Sequence, residues 1–250
     1  MNIEKLTLTK KHLDLLPEKE RVFFIQLAHL SNEITVLTKL LILSNSTSKT
    51  EVINKAYAMQ SSLIARMSIG KLYEAWRLLK INFFASKLSK KYEPKLAKDG
   101  LHSLQKLKKY FGKNNLISDI RNNFSFHYPS FDEIKKQLDA IPDETEFQLF
   151  LGNAYANNNY YIAEEILFNA MLNYVKKTTL QDAMVDIFDD LSQVSDWFIL
   201  FAQHCMTSFL EEFMGEIKDT LKTQTLNVKS QGNIYKLKIP YFVDVKIGKA

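Results

Sequence analysis

From Phe23 the apolar positions recur as Phe23, Leu27, Leu30, Ile34, Leu37 and Leu41, alternating steps of four and three residues. That is one stripe along an α-helix. Pro17 followed by Glu18, Lys19 and Glu20 supplies a start, because proline fits the first turn and acids favour the positive end of the macrodipole. The pattern predicts a helix over 18–44. A polar stretch, SNSTSKT at 44–50, marks a turn with Ser48 or Thr50 available as N-cap. A second long helix is expected over 50–91, interrupted only by Gly70, and two long helices joined by a short turn pack antiparallel.

Farther along, a lysine-dense helix is expected over 94–111, closed by Gly112. The next helix, over 116–128, ends before Pro129, which pushes its predecessor out of the α region. Ser130, with Glu133 three residues on, caps a short helix, FDEIKKQLDAI. The asparagine-rich stretch 153–159 reads as a loop, and helices follow over 161–176 and 179–222. In the tail, TLNVKSQGNIYKLKIPYFVDVKI alternates apolar and polar residues around Gly232 and Asn233, which predicts a β-hairpin.

The fold class is therefore mainly α: an antiparallel helical bundle over 1–145, then an acidic helical region over 146–250 ending in the hairpin and packed apart from the bundle or with it. With 250 residues, 46% of them hydrophobic, the chain can bury a full core. Only 7 Gly and 5 Pro leave few turn residues for a many-stranded protein. A single cysteine, Cys205, excludes an internal disulfide and, with His204 alone beside it, a zinc site. The amino-terminal stretch has no apolar core of signal-peptide length and no apolar run spans a bilayer, so a cytoplasmic location is expected.

Charge divides unevenly. Residues 1–130 hold 22 Lys and Arg against 10 Asp and Glu, and residues 131–250 hold 11 against 18. A basic face for phosphate is one reading, and solvated helix faces are the other. Within 80–113 ten lysines stand against Glu93 and Asp99, with Tyr92, Tyr110 and Phe111 interleaved, a pattern that could track a phosphate backbone and stack on unpaired bases, although most such aromatics are core and the lysines alone support that reading. No GxxxxGK loop, GxSxG elbow or HExxH pair occurs, so P-loop hydrolases, serine hydrolases of that type and such zinc enzymes find no support.

The most chemically loaded segment is RNNFSFHY at 121–128. Arg121 is followed by the polar Asn122, and His127 stands six positions after the arginine, flanked by Phe124, Phe126 and Tyr128. This segment, preceded by LISDI and by two long helices, resembles the R-(polar)-x(3–5)-H motif of the HEPN superfamily. The resemblance covers about the first half of the chain. It implies an α-helical bundle working as a homodimer with its two motifs facing each other, and metal-independent endoribonuclease activity without a cofactor.

In that chemistry the 2′-hydroxyl attacks its own phosphodiester. Histidine can take or give a proton near neutral pH, arginine can hold the charge gathering on phosphate, and Asn122 would orient one of them. Arg121, Asn122 and His127 are thus the expected catalytic residues, with Tyr128 and Glu74 in support, since an acidic residue from an earlier helix approaches the motif in some members. Glu74 equally reads as an i, i+3 partner of Arg77. Lys106, Lys108, Lys109 and Lys113 are the expected RNA contacts. His29 and Glu33 form an i, i+4 pair that could line the same cleft or lie at the surface. Arg66, Gly70, Glu74 and Arg77 make a polar strip with a small residue where another helix could approach.

At about 100° per residue, Arg121 and His127 stand about 120° off a common helix face. Either the segment bends near Pro129, or the two groups meet across two chains, as the resemblance implies. The functional expectation is an RNase toxin or phage-defence effector, for which a nucleotidyltransferase-type antitoxin is a common neighbour. The other reading is a non-catalytic HEPN-like dimer that binds nucleotide, RNA or a protein partner.

Overall fold

The computed structural model describes residues 1–125, 128–175, 180–215 and 221–244. It is mainly α, with one two-stranded sheet among the described residues. In chain order, strand β1 (Asn2–Thr7) leads to α1 (Lys10–Leu13) and then to two long helices, α2 (Glu18–Ser44) and α3 (Glu51–Leu79). A π-helical turn, Lys80–Ala85, follows α3, and α4 (Leu88–Tyr92), a 3-10 turn (Glu93–Lys95) and α5 (Lys98–Phe111) come next. Beyond these lie α6 (Leu116–Ile120), a second π-helical turn (Arg121–Ser125), α7 (Phe131–Asp139), α8 (Tyr161–Val175), α9 (Leu180–Met214) and strand β2 (Lys222–Asn227).

Helix α2 has the limits that its stripe and Pro17 predict. The second long helix does not run to residue 91: the backbone loosens into the π turn and reverses at Lys87, whose φ of 69° lies in the left-handed region. No proline or glycine marks that break. Its cause is packing, for Phe83 in the π turn is fully buried and stacks on Phe23 at 5.5 Å.

The chain forms two compact units. The first comprises residues 1–36, 74–113 and 193–233. Its core is aromatic: Phe83 also meets Phe201 at 5.2 Å, Tyr92 meets Phe209 edge-on at 4.3 Å, and Trp76 stacks on Phe111 at 5.0 Å. Lys91 and Lys95 of this unit reach the Glu212 carboxylate at 2.8 and 2.6 Å, and Lys91 also reaches Glu20 at 3.2 Å.

The second unit comprises residues 37–73, 114–192 and 234–250. Ala65, Ile69 and Leu72 of α3, Ile117 and Ile120 of α6, and Phe168 and Met171 of α8 are buried in it. Ser130 closes the expected capping box on α7: its Oγ accepts from the Glu133 N–H at 3.3 Å, and its own N–H donates to the Glu133 carboxylate at 2.9 Å.

The expected terminal β-hairpin is not formed. Its first limb, β2, pairs antiparallel with β1, from Asn2 opposite Asn227 to Thr7 opposite Lys222. Its second limb, among the described residues, holds a 3-10 turn (Ile234–Lys236) and then irregular chain, where the Ile239 N–H donates to the Leu43 carbonyl at 3.1 Å; residues 245–247 of the expected limb lie outside the described residues. Pro240 cannot donate to a ladder, and the amino terminus offers β2 a complete one. No helix among the described residues is long and apolar enough to cross a membrane.

Candidate functional site

The motif segment is built on a well-anchored start. Asn115 caps α6 by accepting from the Ser118 N–H at 2.9 Å, while Ile117 and Ile120 are buried. At Arg121 the α-helix gives way to the π turn. Such turns change the angular step between side chains, so α-helical arithmetic does not apply from Arg121 onward. The expectation of one regular helix over 116–128 is corrected accordingly, and the 120° offset drawn from it no longer argues for two chains.

Phe124 points inward and is buried, which fixes the turn. Arg121 is half-buried, with its guanidinium carbon 4.8 Å from the centroid of the Tyr73 ring. Its Nη1 donates to Oδ1 of Asn122 at 3.2 Å. The guanidinium thus contacts its chain neighbour, and an aromatic face that the sequence did not single out holds the cation in place. Phe126 and His127 lie outside the described residues. Tyr128 is fully exposed.

The supporting residues are distributed differently. Glu74 and Arg77 belong to the first unit and pair with each other at 3.1 Å, the i, i+3 arrangement. His29 and Glu33, also of that unit, stand 3.6 Å apart with His29 exposed. Of the basic residues, Lys106, Lys108, Lys109 and Lys113 are all exposed, and Lys108 Nζ donates to Glu93 at 2.8 Å and lies over the Phe84 ring. The interleaved aromatics are packing residues. Tyr92 is fully buried, Phe111 stacks on Trp76, and Tyr110 meets Trp197 edge-on. Of their two readings, stacking platform or core, these contacts favour the core.

Beside the motif, within the second unit, lies a cavity of about 730 Å³. Phe124, Tyr128 and Pro129 form one side, Leu63 and Arg66 of α3 another, and Ile134 of α7 with Ile162 and Glu164 of α8 the rest. Its walls are apolar except for one ion pair. Arg66 Nη1 and Nη2 donate to the two Glu164 oxygens at 3.0 and 3.2 Å, and Nη1 also donates to Ser62 Oγ at 3.1 Å. The side chains of Arg66 and Glu164 are only 9% and 13% exposed. The sequence offered Arg66 as part of a polar strip, but its partner stands 98 residues away and no local spacing announces it.

Cys205 is fully buried, and burial pushes its thiol well above the ordinary range, so it is no nucleophile. No cluster of metal-ligating side chains occurs among the described residues. Comparison with protein-family models, with curated proteins and with solved structures finds no match. What the site can do is therefore read from its own geometry.

Proposed function

We propose that the chain is a metal-independent endoribonuclease of the HEPN type, acting as a homodimer and serving as a toxin or phage-defence effector in the cytoplasm. The observation that carries this reading is Arg121, whose fork is held by Asn122 at 3.2 Å and by the Tyr73 ring. A guanidinium is the group that a phosphodiester oxyanion pairs with through charge-assisted hydrogen bonds.

In the proposed reaction the 2′-oxygen bonds to phosphorus while the bond to the 5′-oxygen breaks, leaving a cyclic phosphate. His127 exchanges the proton with the 2′-hydroxyl or the departing oxygen, and Arg121 balances the charge that develops on phosphate. Lys106, Lys108, Lys109 and Lys113, all exposed, would hold the RNA backbone. A nucleotidyltransferase-type antitoxin is the partner that commonly accompanies such a toxin.

The test is incubation of the purified chain with RNA in EDTA. Cleavage with cyclic-phosphate ends that is lost in Arg121→Ala and in His127→Ala is expected, and intact RNA with the wild-type chain overturns the proposal. A second reading has one observation in its favour. Helix α7 has no buried residue and exposes Phe131, Ile134 and Leu138 next to exposed Tyr128, an apolar face suited to a non-catalytic dimer or a protein partner. Variants of Arg121 and His127 that abolish dimerisation, from a chain that never cuts RNA, would select it.

A further inference from the structure

Helix α7 has no buried residue, yet one of its faces is apolar. Phe131, Ile134 and Leu138 stand at i, i+3 and i+7 and are 79%, 37% and 45% exposed. A helix of 9 residues is too short to hold itself in water and ordinarily depends on covering such a face. Ile134 is also a wall of the cavity whose other sides include Leu63, Phe124, Ile162 and Leu167. A projecting ring, Phe131, and an apolar hollow therefore share one patch of the second unit.

The polar part of the cavity restricts what can fill it. Arg66 and Glu164 answer each other through two hydrogen bonds, and Arg66 also donates to Ser62, so the pair is neutral and already engaged. A phosphate entering there would meet the Glu164 carboxylate, and a cation would meet Arg66, so neither gains by leaving water. An apolar side chain leaves the pair intact and does gain. A cavity of about 150 Å³ takes a benzene ring. At about 730 Å³ this one admits an aromatic ring together with side chains that follow it on the same helix face.

One occupant satisfies ring and cavity together. In a two-fold pair the same patch serves on both sides, so a projecting group that fits a cavity of its own patch makes the contact twice. Charge permits the pairing: α7 carries Asp132, Glu133 and Asp139 beside Lys135 and Lys136, so two such helices meet without a strong field of one sign. We propose that a second copy of this chain fills the cavity, Phe131 of each protomer entering the hollow of the other across a two-fold axis. Phe124, a wall of that hollow, lies in the same π turn as Arg121, so the contact braces the motif segment. The inference gives the homodimer of the ribonuclease reading its contact surface, and in that respect it rests on that reading.

Sedimentation equilibrium of the full chain tests this with two variants that break opposite halves of the contact. Phe131→Asp removes the ring and leaves the cavity, whereas Leu63→Trp fills the cavity from an exposed position and leaves the ring. Each alone should weaken self-association about thirty-fold or more, with the far-ultraviolet circular dichroism of the parent retained. Mixed, the two variants rebuild one of the two contacts, the ring of one entering the open cavity of the other. The mixture should therefore associate about ten-fold or more tighter than either variant alone. A monomeric parent chain, a dimer indifferent to Phe131→Asp, or a mixture of folded variants no tighter than its components overturns the proposal. RNA cleavage is scored separately: a dimer that obeys the complementation but cuts no RNA sinks the ribonuclease and leaves the interface standing, while cleavage by a chain that stays monomeric sinks the interface alone.

Discussion

The guanidinium of Arg121 rests on the ring of Tyr73, 4.8 Å from its centroid, across 48 residues of chain. A cation held over an aromatic face has its position fixed by the ring. The pair thus supplies orientation that the motif's spacing alone does not. If RNA is the substrate, Arg121→Lys should cut the single-turnover rate about 10²- to 10³-fold, because an ammonium cannot replace the planar fork. Tyr73→Leu removes only the platform, worth about 0.5–2 kcal/mol, and should slow cleavage about two- to thirty-fold. Equal losses in the two variants would show that the ring does more than hold the arginine.

The Arg66–Glu164 pair makes a prediction about stability that is independent of catalysis. Both side chains are largely out of water, so removal of one partner strands a charge. Glu164→Ala should destabilise the second unit by about 3–5 kcal/mol, while the double change to Arg66→Met and Glu164→Leu should be close to neutral. Urea denaturation of the parent and the two variants checks this. A double variant as unstable as the single one would mean that the site cannot repack around apolar groups.

These pairings mark the boundary of what the sequence discloses. Helix α2 was legible because its causes are local: Pro17, the acids after it, and an apolar stripe that all lies on one face. The capping box at Ser130 and Glu133 was legible for the same reason. The break at Lys87 was not, since it is imposed by the burial of Phe83 against residues distant in sequence. The β1–β2 ladder joins chain ends more than two hundred residues apart, so a local hairpin pattern pointed to the wrong partner. The motif was visible as residue types, but Tyr73 under Arg121 and Glu164 opposite Arg66 are tertiary facts.

Helix α7 buries none of its residues, so its stability depends on its own ends more than on packing. Ser130→Ala removes the oxygen that accepts from the Glu133 N–H and should cost about 1 kcal/mol. Hydrogen exchange is the suitable measurement: amides of 133–138 should lose about five-fold in protection, with the rest of the second unit unchanged. A drop in protection throughout that unit would show that α7 is coupled to its core.

The first unit should carry an acid-sensitive element. Burial raises the cost of charging Glu212, but hydrogen bonds from Lys91 and Lys95 outweigh it and hold the carboxyl below its ordinary value of 4.5. A depressed carboxyl stabilises the fold above its unfolded value and loses that contribution as pH falls through the folded one. Glu212→Gln should therefore lower the thermal midpoint at pH 7, and the difference from the parent chain should close as pH drops below 4.5. Lys91 behaves conversely. Burial opposes its charge, yet Glu212, Tyr92 and Glu20 raise it above 10.5, so its contribution is kept at neutral pH and lost only in strong alkali. If the Glu212→Gln variant keeps the acid profile of the parent, the acid sensitivity belongs to other carboxylates.

Gly100 of α5 sits against His204 of α9. A Cβ built there would lie 2.5 Å from the Cβ of His204 and 2.8 Å from its Cγ. Because the obstructing atom is a Cβ, fixed to the α9 backbone, no rotamer change of His204 can make room. Alanine is the better helix former by about 1 kcal/mol, which argues for stabilisation at an exposed site. Here overpacking should win, with a net loss of about 1–3 kcal/mol. The pairing can be tested in both directions: Gly100→Ala should lower the thermal midpoint, and adding His204→Gly should recover part of the loss by removing the clashing atom. If Gly100→Ala alone raises the midpoint, the two helices have room to separate and the close approach is not a constraint on the first unit.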